Sequence, residues 1–193
     1  MGQRLGKSKP TWADVKTSLA RFDRAGLLGL LQDLYVADEG NRAFLHARFG
    51  LGKDPRQPYK KMVDRWLWPD IFRGQRTSVF RAKEAIAKYE KAIGDPVGLA
   101  ELRVFYCERT AGFCQELDHR ESVYLDALVR MFGQALKAVA NVTRKGQNRF
   151  LFRLDYVRNI GRQLENGVGE EMDVLLSEFE SNTYPRSVPW EGK

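Results

Sequence analysis

Hydrophobic residues recur along this chain at helical spacing, and no strand-like alternation of useful length occurs. Thr11 reads as the cap of a helix whose stripe is Trp12, Val15, Leu19 and Phe22, with Asp14 suiting the helix dipole. Gly26 reads as a break, and a second helix carries Leu27, Leu28, Leu30, Leu31, Leu34 and Tyr35. Asp38 to Asn41 reads as a turn, followed by a short helix from about Arg42 to Phe49 that stops at Gly50 and Gly52. Pro58 suits the first turn of the next helix, with Tyr59, Met62, Val63, Trp66 and Leu67 on its stripe and Trp68-Pro69-Asp70 at its end.

After an irregular aromatic segment, Thr77 or Ser78 caps a helix with Val79, Ala82, Ile86, Tyr89 and Ile93 inward. Gly94-Asp95-Pro96 then opens a long hairpin, Leu99 to Ala140, which turns at Asp118-His119-Arg120. In its first arm Glu101, Glu108 and Gln115 recur every seven residues and mark a wet side, opposite Leu102, Tyr106, Phe113 and Cys114. The second arm has a broad apolar arc through Leu128, Met131, Phe132, Leu136 and Val139, wide enough for more than one neighbour. Thr143 to Gln147 reads as a basic turn. Phe150, Leu154, Val157, Ile160 and Leu164 form another stripe, Asn166-Gly167 breaks it, and Val168, Met172, Leu175 and Phe179 define a last, acidic helix.

The pattern predicts an all-α fold, a helical bundle or a short stack of helical hairpins with about eight or nine helices. Residues 1–10 read as a flexible arm, 11–180 as a single helical domain and 181–193 as a tail. A chain of 193 residues can bury a core without staples. No apolar run is long enough to cross a membrane, and the first ten residues lack the apolar core of a secretory signal. Cys107 and Cys114 stand seven apart on one helix, about 10 Å, beyond disulfide reach. They read as reduced core thiols of a cytoplasmic protein.

Charge changes the picture in one place. The net charge is +7. Residues 42–91 hold thirteen basic and five acidic residues, a balance of +8, whereas residues from 94 onward balance at −2. Within that segment Lys60, Lys61, Arg65, Arg73, Arg76, Arg81 and Lys88 are interleaved with Trp66, Trp68, Phe72 and Phe80. Such a mixture can meet phosphates with its cations and stack on its aromatics, or form an aromatic and arginine contact for a protein. Trp66 lies on the core stripe of its helix, while Phe80 falls on the polar side of its own. Arg103 falls inside the dry arc of the hairpin's first arm. It either runs its stem out to water or a carboxylate, or faces a ligand in a helical groove.

The catalytic patterns are missing. His46 and His119 lie on different elements without metal-ligand spacing, and the cysteines lack Cys-x-x-Cys. Nucleotide-binding glycine motifs and a nucleophile elbow do not occur. Arg42 precedes His46 with only three residues between, short of the spacing that helical ribonucleases use. No catalytic, metal or cofactor residue is assigned.

The pieces DLY from Asp33, FRAKEAIAKYEKAIGDP, LAELRVFYCERTAGF and YLDALVRMFGQALK resemble an uncharacterised family of bacterial all-helical proteins, a domain of unknown function, over residues 33–140. The resemblance implies a helical fold in a bacterial, cytoplasmic setting and no activity. The reading is thus a non-enzymatic helical interaction module that binds a protein partner as a bacterial accessory protein. The alternative is nucleic-acid binding through residues 53–91, and a ribonuclease or other hydrolase comes third. No membrane partner is expected, and the oligomeric state stays open.

Overall fold

The computed structural model describes residues 9–183 apart from Glu165. The expected arm, up to residue 8, and the expected tail, from residue 184, lie outside the described residues. The protein is all-α: among the described residues there are nine α-helices, one 3-10 turn and no strand. No described helix is long and apolar enough to cross a membrane. The chain divides into two compact units, one up to Leu45 and one from His46.

The N-terminal unit begins with α1 (Trp12–Leu19) and α2 (Arg24–Ala37); α3 (Glu39–Arg48) runs across the division. Thr11 and Asp14 form a capping box on α1, the Asp14 carboxylate accepting from the Thr11 amide at 2.7 Å. These hydrogen bonds hold the Asp14 carboxyl below its ordinary range. Gly26 does not break the chain. The Asp23 carboxylate accepts its N–H at 2.7 Å, so α2 starts three residues earlier than the apolar stripe suggests. Likewise Asp38 caps α3 by accepting the Asn41 N–H at 3.1 Å, and the expected turn becomes that helix's first turn.

The C-terminal unit contains α4 (Gln57–Leu67), the 3-10 turn Ile71–Arg73, α5 (Val79–Ala92), α6 (Pro96–Glu116), α7 (Ser122–Ala140), α8 (Arg144–Gly161) and α9 (Val168–Thr183). Its centre is α6, which packs against α4, α5, α7 and α8, while α9 lies on α7 and α8. Buried positions occur all round α6, from Leu102, Val104 and Tyr106 to Ala111 and Cys114. Tyr59, Val63 and Leu67 of α4, Leu128, Met131 and Phe132 of α7, Leu154 and Val157 of α8 and Met172 of α9 complete the core. A helix buried on every side carries no clear amphipathic stripe, which is why its sequence pattern is the least tidy in the chain.

Asp95 begins α6 by accepting the Gly98 N–H at 2.7 Å and also accepts the hydroxyl proton of buried Tyr89. Burial, and after it that bond, raises the Tyr89 pKa. Asp118 takes a left-handed conformation in the α6–α7 turn (φ 49°). The basic turn expected at 143–147 is instead the start of α8, capped at Thr143, with Gln147 buried and donating to the Val142 carbonyl at 2.9 Å. Asn166 and Gly167, both at positive φ, make the break before α9. The last helix continues three residues past the expected end of the domain.

Candidate functional site

Two constellations in the C-terminal unit gather chemistry-bearing side chains. The first is the corner between α4 and α5. Helix α4 ends where Pro69 cannot continue it, and Asp70 caps the 3-10 turn, accepting the Arg73 N–H at 3.3 Å and pairing with its guanidinium at 3.2 Å. Gly74 closes that turn at φ 70°. The Ser78 N–H donates to the Trp66 carbonyl at 2.9 Å, and its hydroxyl oxygen accepts the Arg81 N–H at 3.3 Å to start α5. The link is thus fastened to the end of α4 at one side and caps α5 at the other.

This fastening holds large apolar groups in solvent. Phe72 is 90% exposed and Phe80 73%. Where α4 ends and α5 begins, the guanidinium carbons of Arg65 and Arg81 lie 4.8 Å and 4.4 Å from the Trp66 ring centroid. Cation–π stacking of this kind fixes arginine side chains while leaving their N–H donors free. Among the described residues Lys61, Arg65, Arg76 and Arg81 pair with no carboxylate.

Most of the residues singled out by sequence sit at this corner: Arg65, Phe72, Arg73, Arg76, Phe80 and Arg81. Lys61 is exposed one turn back on α4. Lys88 is two turns along α5 and pairs with Glu84 at 3.6 Å. Trp68 and Lys60 point elsewhere. The Trp68 ring lies 4.0 Å from the Arg109 guanidinium and edge-on to Phe113, above Gly112, where an added Cβ would come within 2.7 Å of the ring. Arg103 donates to the Gln134 carbonyl at 3.3 Å and lies 3.8 Å from the Glu90 carboxylate.

The second constellation corrects the sequence reading. Glu101, placed above on a wet side, is buried at 3% exposure. Helix α8 covers that side and brings cations with it. Glu101 accepts from Lys60 at 2.6 Å, from Arg153 at 2.7 Å and from Arg149 at 3.4 Å. Arg153 also forks onto Glu108 with two bonds of 2.7 Å. Burial pushes the Glu101 carboxyl up, but the bonds from Arg153 and Lys60 outweigh it and hold the group below the usual carboxylate range. Glu108 is half-buried and only Gln115 of the three is exposed. The one local signal is that Arg149 and Arg153, like charges four apart, flank the core stripe residues Phe150 and Leu154, an unfavourable spacing without an acid to receive them.

Nothing in either place resembles an activated nucleophile. Cys107 and Cys114 are buried free thiols; burial raises both, Cys114 to about 12. His119 packs edge-on between Phe113 and Tyr124. No group of three or more His, Cys, Asp or Glu residues is placed to hold a metal among the described residues.

Fold and site define an all-helical protein with a fastened, exposed aromatic and arginine corner. Compared with family models, curated proteins and solved structures, the chain matches none. The helical build implied by the resemblance over 33–140 is present; the family is not identified by these comparisons.

Proposed function

We propose that this protein is a non-enzymatic interaction module that binds a protein partner through the α4–α5 corner. The observation that carries this reading is the pair Phe72 and Phe80, held largely in water on a hydrogen-bonded link whose ends also carry Arg65, Arg76 and Arg81, which pair with no carboxylate among the described residues. Aromatic anchors rimmed by arginine are the usual composition of binding hot spots. A partner that fits offers an apolar recess flanked by carboxylates. The bacterial setting implied by the resemblance is compatible with an accessory module of this kind.

The test is affinity capture with the full chain, with and without nuclease, comparing wild type with Phe72→Ser/Phe80→Ser. A partner retained through nuclease treatment and lost with the variant supports the reading. A partner held equally by the variant refutes this corner as the surface.

The unpaired Lys61, Arg65, Arg76 and Arg81 favour a second reading, a nucleic acid bound through residues 53–91. Four phosphate contacts would give a log-log salt slope of about −3. Titration of labelled single- and double-stranded oligonucleotides at two salt concentrations tests it against Arg73→Glu/Arg76→Glu/Arg81→Glu. Binding that vanishes at every salt concentration, or that the triple variant keeps, removes this reading.

A further inference from the structure

Helix α2 has the composition of a core helix without a core. It contains four leucines at positions 27, 28, 31 and 34 that are each more than a third exposed, and none of its residues is buried. Fourteen residues is near the limit at which a helix is marginal in water on propensity alone, so such a helix depends on packing of its apolar face.

The order of residues on that face indicates what covers it. Arg24, Leu27, Leu31, Leu34 and Asp38 follow the alternating three-and-four spacing of a helix–helix seam and fall within an arc of about 80°. The leucines occupy the middle, and the ends carry opposite charges. Arg24 and Asp38 are both exposed. A parallel copy would set Arg24 against Arg24. An antiparallel copy, related by a two-fold axis near Leu31, sets leucine against leucine and puts each Arg24 at the same end as Asp38 of the other copy. The seam is complementary to itself, the condition for a symmetric two-fold contact.

We propose that α2 is a self-association surface whose occupant is α2 of a second copy, packed antiparallel. The contact uses residues of the N-terminal unit alone, so it stands or falls independently of the α4–α5 corner.

The experiment is sedimentation of the full chain across a range of micromolar to several hundred micromolar protein. Wild type should pass reversibly from one chain to two, and Leu31→Glu should stay a single chain throughout. Arg24→Asp and Asp38→Arg each turn both end contacts into repulsions, and each alone should weaken association by about tenfold or more. An equimolar mixture of these two variants recreates opposite charges at both ends, and should associate about as well as wild type. Asp38 also caps α3, so helicity of Asp38→Arg is checked by circular dichroism; the mixture contains the same variant, and its recovery cannot come from a lost fold. A single-chain mass for wild type at every concentration overturns the proposal. So does a dimer that Leu31→Glu leaves intact, or a mixture that associates no better than either variant alone.

Discussion

Replacing Glu101 by Gln tests whether the charge cluster holds α4, α6 and α8 together. The substitution keeps the shape and removes the charge that Lys60 and Arg153 share. Deleting one partner of a buried ionic group costs about 3–5 kcal/mol. Two features reduce that figure here. The Lys60 and Arg153 side chains remain 22% and 20% exposed, and Arg153 keeps its fork on Glu108. A loss of roughly 2–3 kcal/mol remains, which for a chain of this size corresponds to a fall in Tm of roughly 5–10 °C. The pH dependence has a definite sign. The folded Glu101 carboxyl titrates below its ordinary value, so its stabilisation is present above the unfolded range, about 4.3, and is lost as pH falls through the lower folded value. Thermal melts of wild type and Glu101→Gln followed by circular dichroism should differ most at neutral pH and converge as the solution is acidified. A Tm difference under about 1 °C at pH 7, or one that grows in acid, would refute the assignment.

Other outcomes follow from single sites. Gly98→Ala places a Cβ 1.9 Å from the Tyr89 hydroxyl and 2.5 Å from the Asp95 carboxylate, so it should displace a buried tyrosine from its cap and cost about 1–3 kcal/mol in urea denaturation. Cys107 and Cys114 should resist a thiol reagent in the folded protein at pH 8 and both react after unfolding, since burial raises both thiols; rapid native labelling of either would contradict their placement. Phe72→Ser and Phe80→Ser should each leave urea stability within about 0.5 kcal/mol of wild type, because neither ring is packed; a larger loss would mean that these rings are structural.

The helices were legible wherever one face is dry and the other wet. Val63 and Leu67 on α4 or Leu154 and Val157 on α8 are buried as their spacing predicts. Phe80 was legible as exposed for the same reason, since it breaks the stripe of its own helix. Starts were harder to read. Asp23 and Asp38 begin helices before the apolar pattern does, because a cap is set by one side chain and not by periodicity. Arg144 and Lys145 also sit in a first turn, where the helix dipole disfavours cations, and so read as a turn. Glu101 was not legible. Its heptad company of Glu108 and Gln115 imitates a wet face, and its cations come from residues 41, 48 and 52 positions away. Long-range pairing of that kind leaves no mark near Glu101 itself, and only the like-charged pair Arg149 and Arg153 hints at it from the other side.

Burial all round α6 has a consequence for how the helix is seated. A cylinder with buried apolar side chains on every side can turn about its own axis and still bury similar surface, so hydrophobic packing alone selects among rotations weakly. One residue of slippage, about 100°, would carry Glu101 away from Lys60, Arg149 and Arg153 together and strand a carboxylate among side chains unable to receive it. The acid therefore acts as an index mark: it excludes misrotated arrangements more than it strengthens the correct one. On this hypothesis Lys60→Met/Glu101→Leu should recover much of the Tm lost by Glu101→Gln, while its side-chain NMR signals broaden as several rotations of α6 become populated; sharp, single signals in that variant would show that shape alone sets the angle.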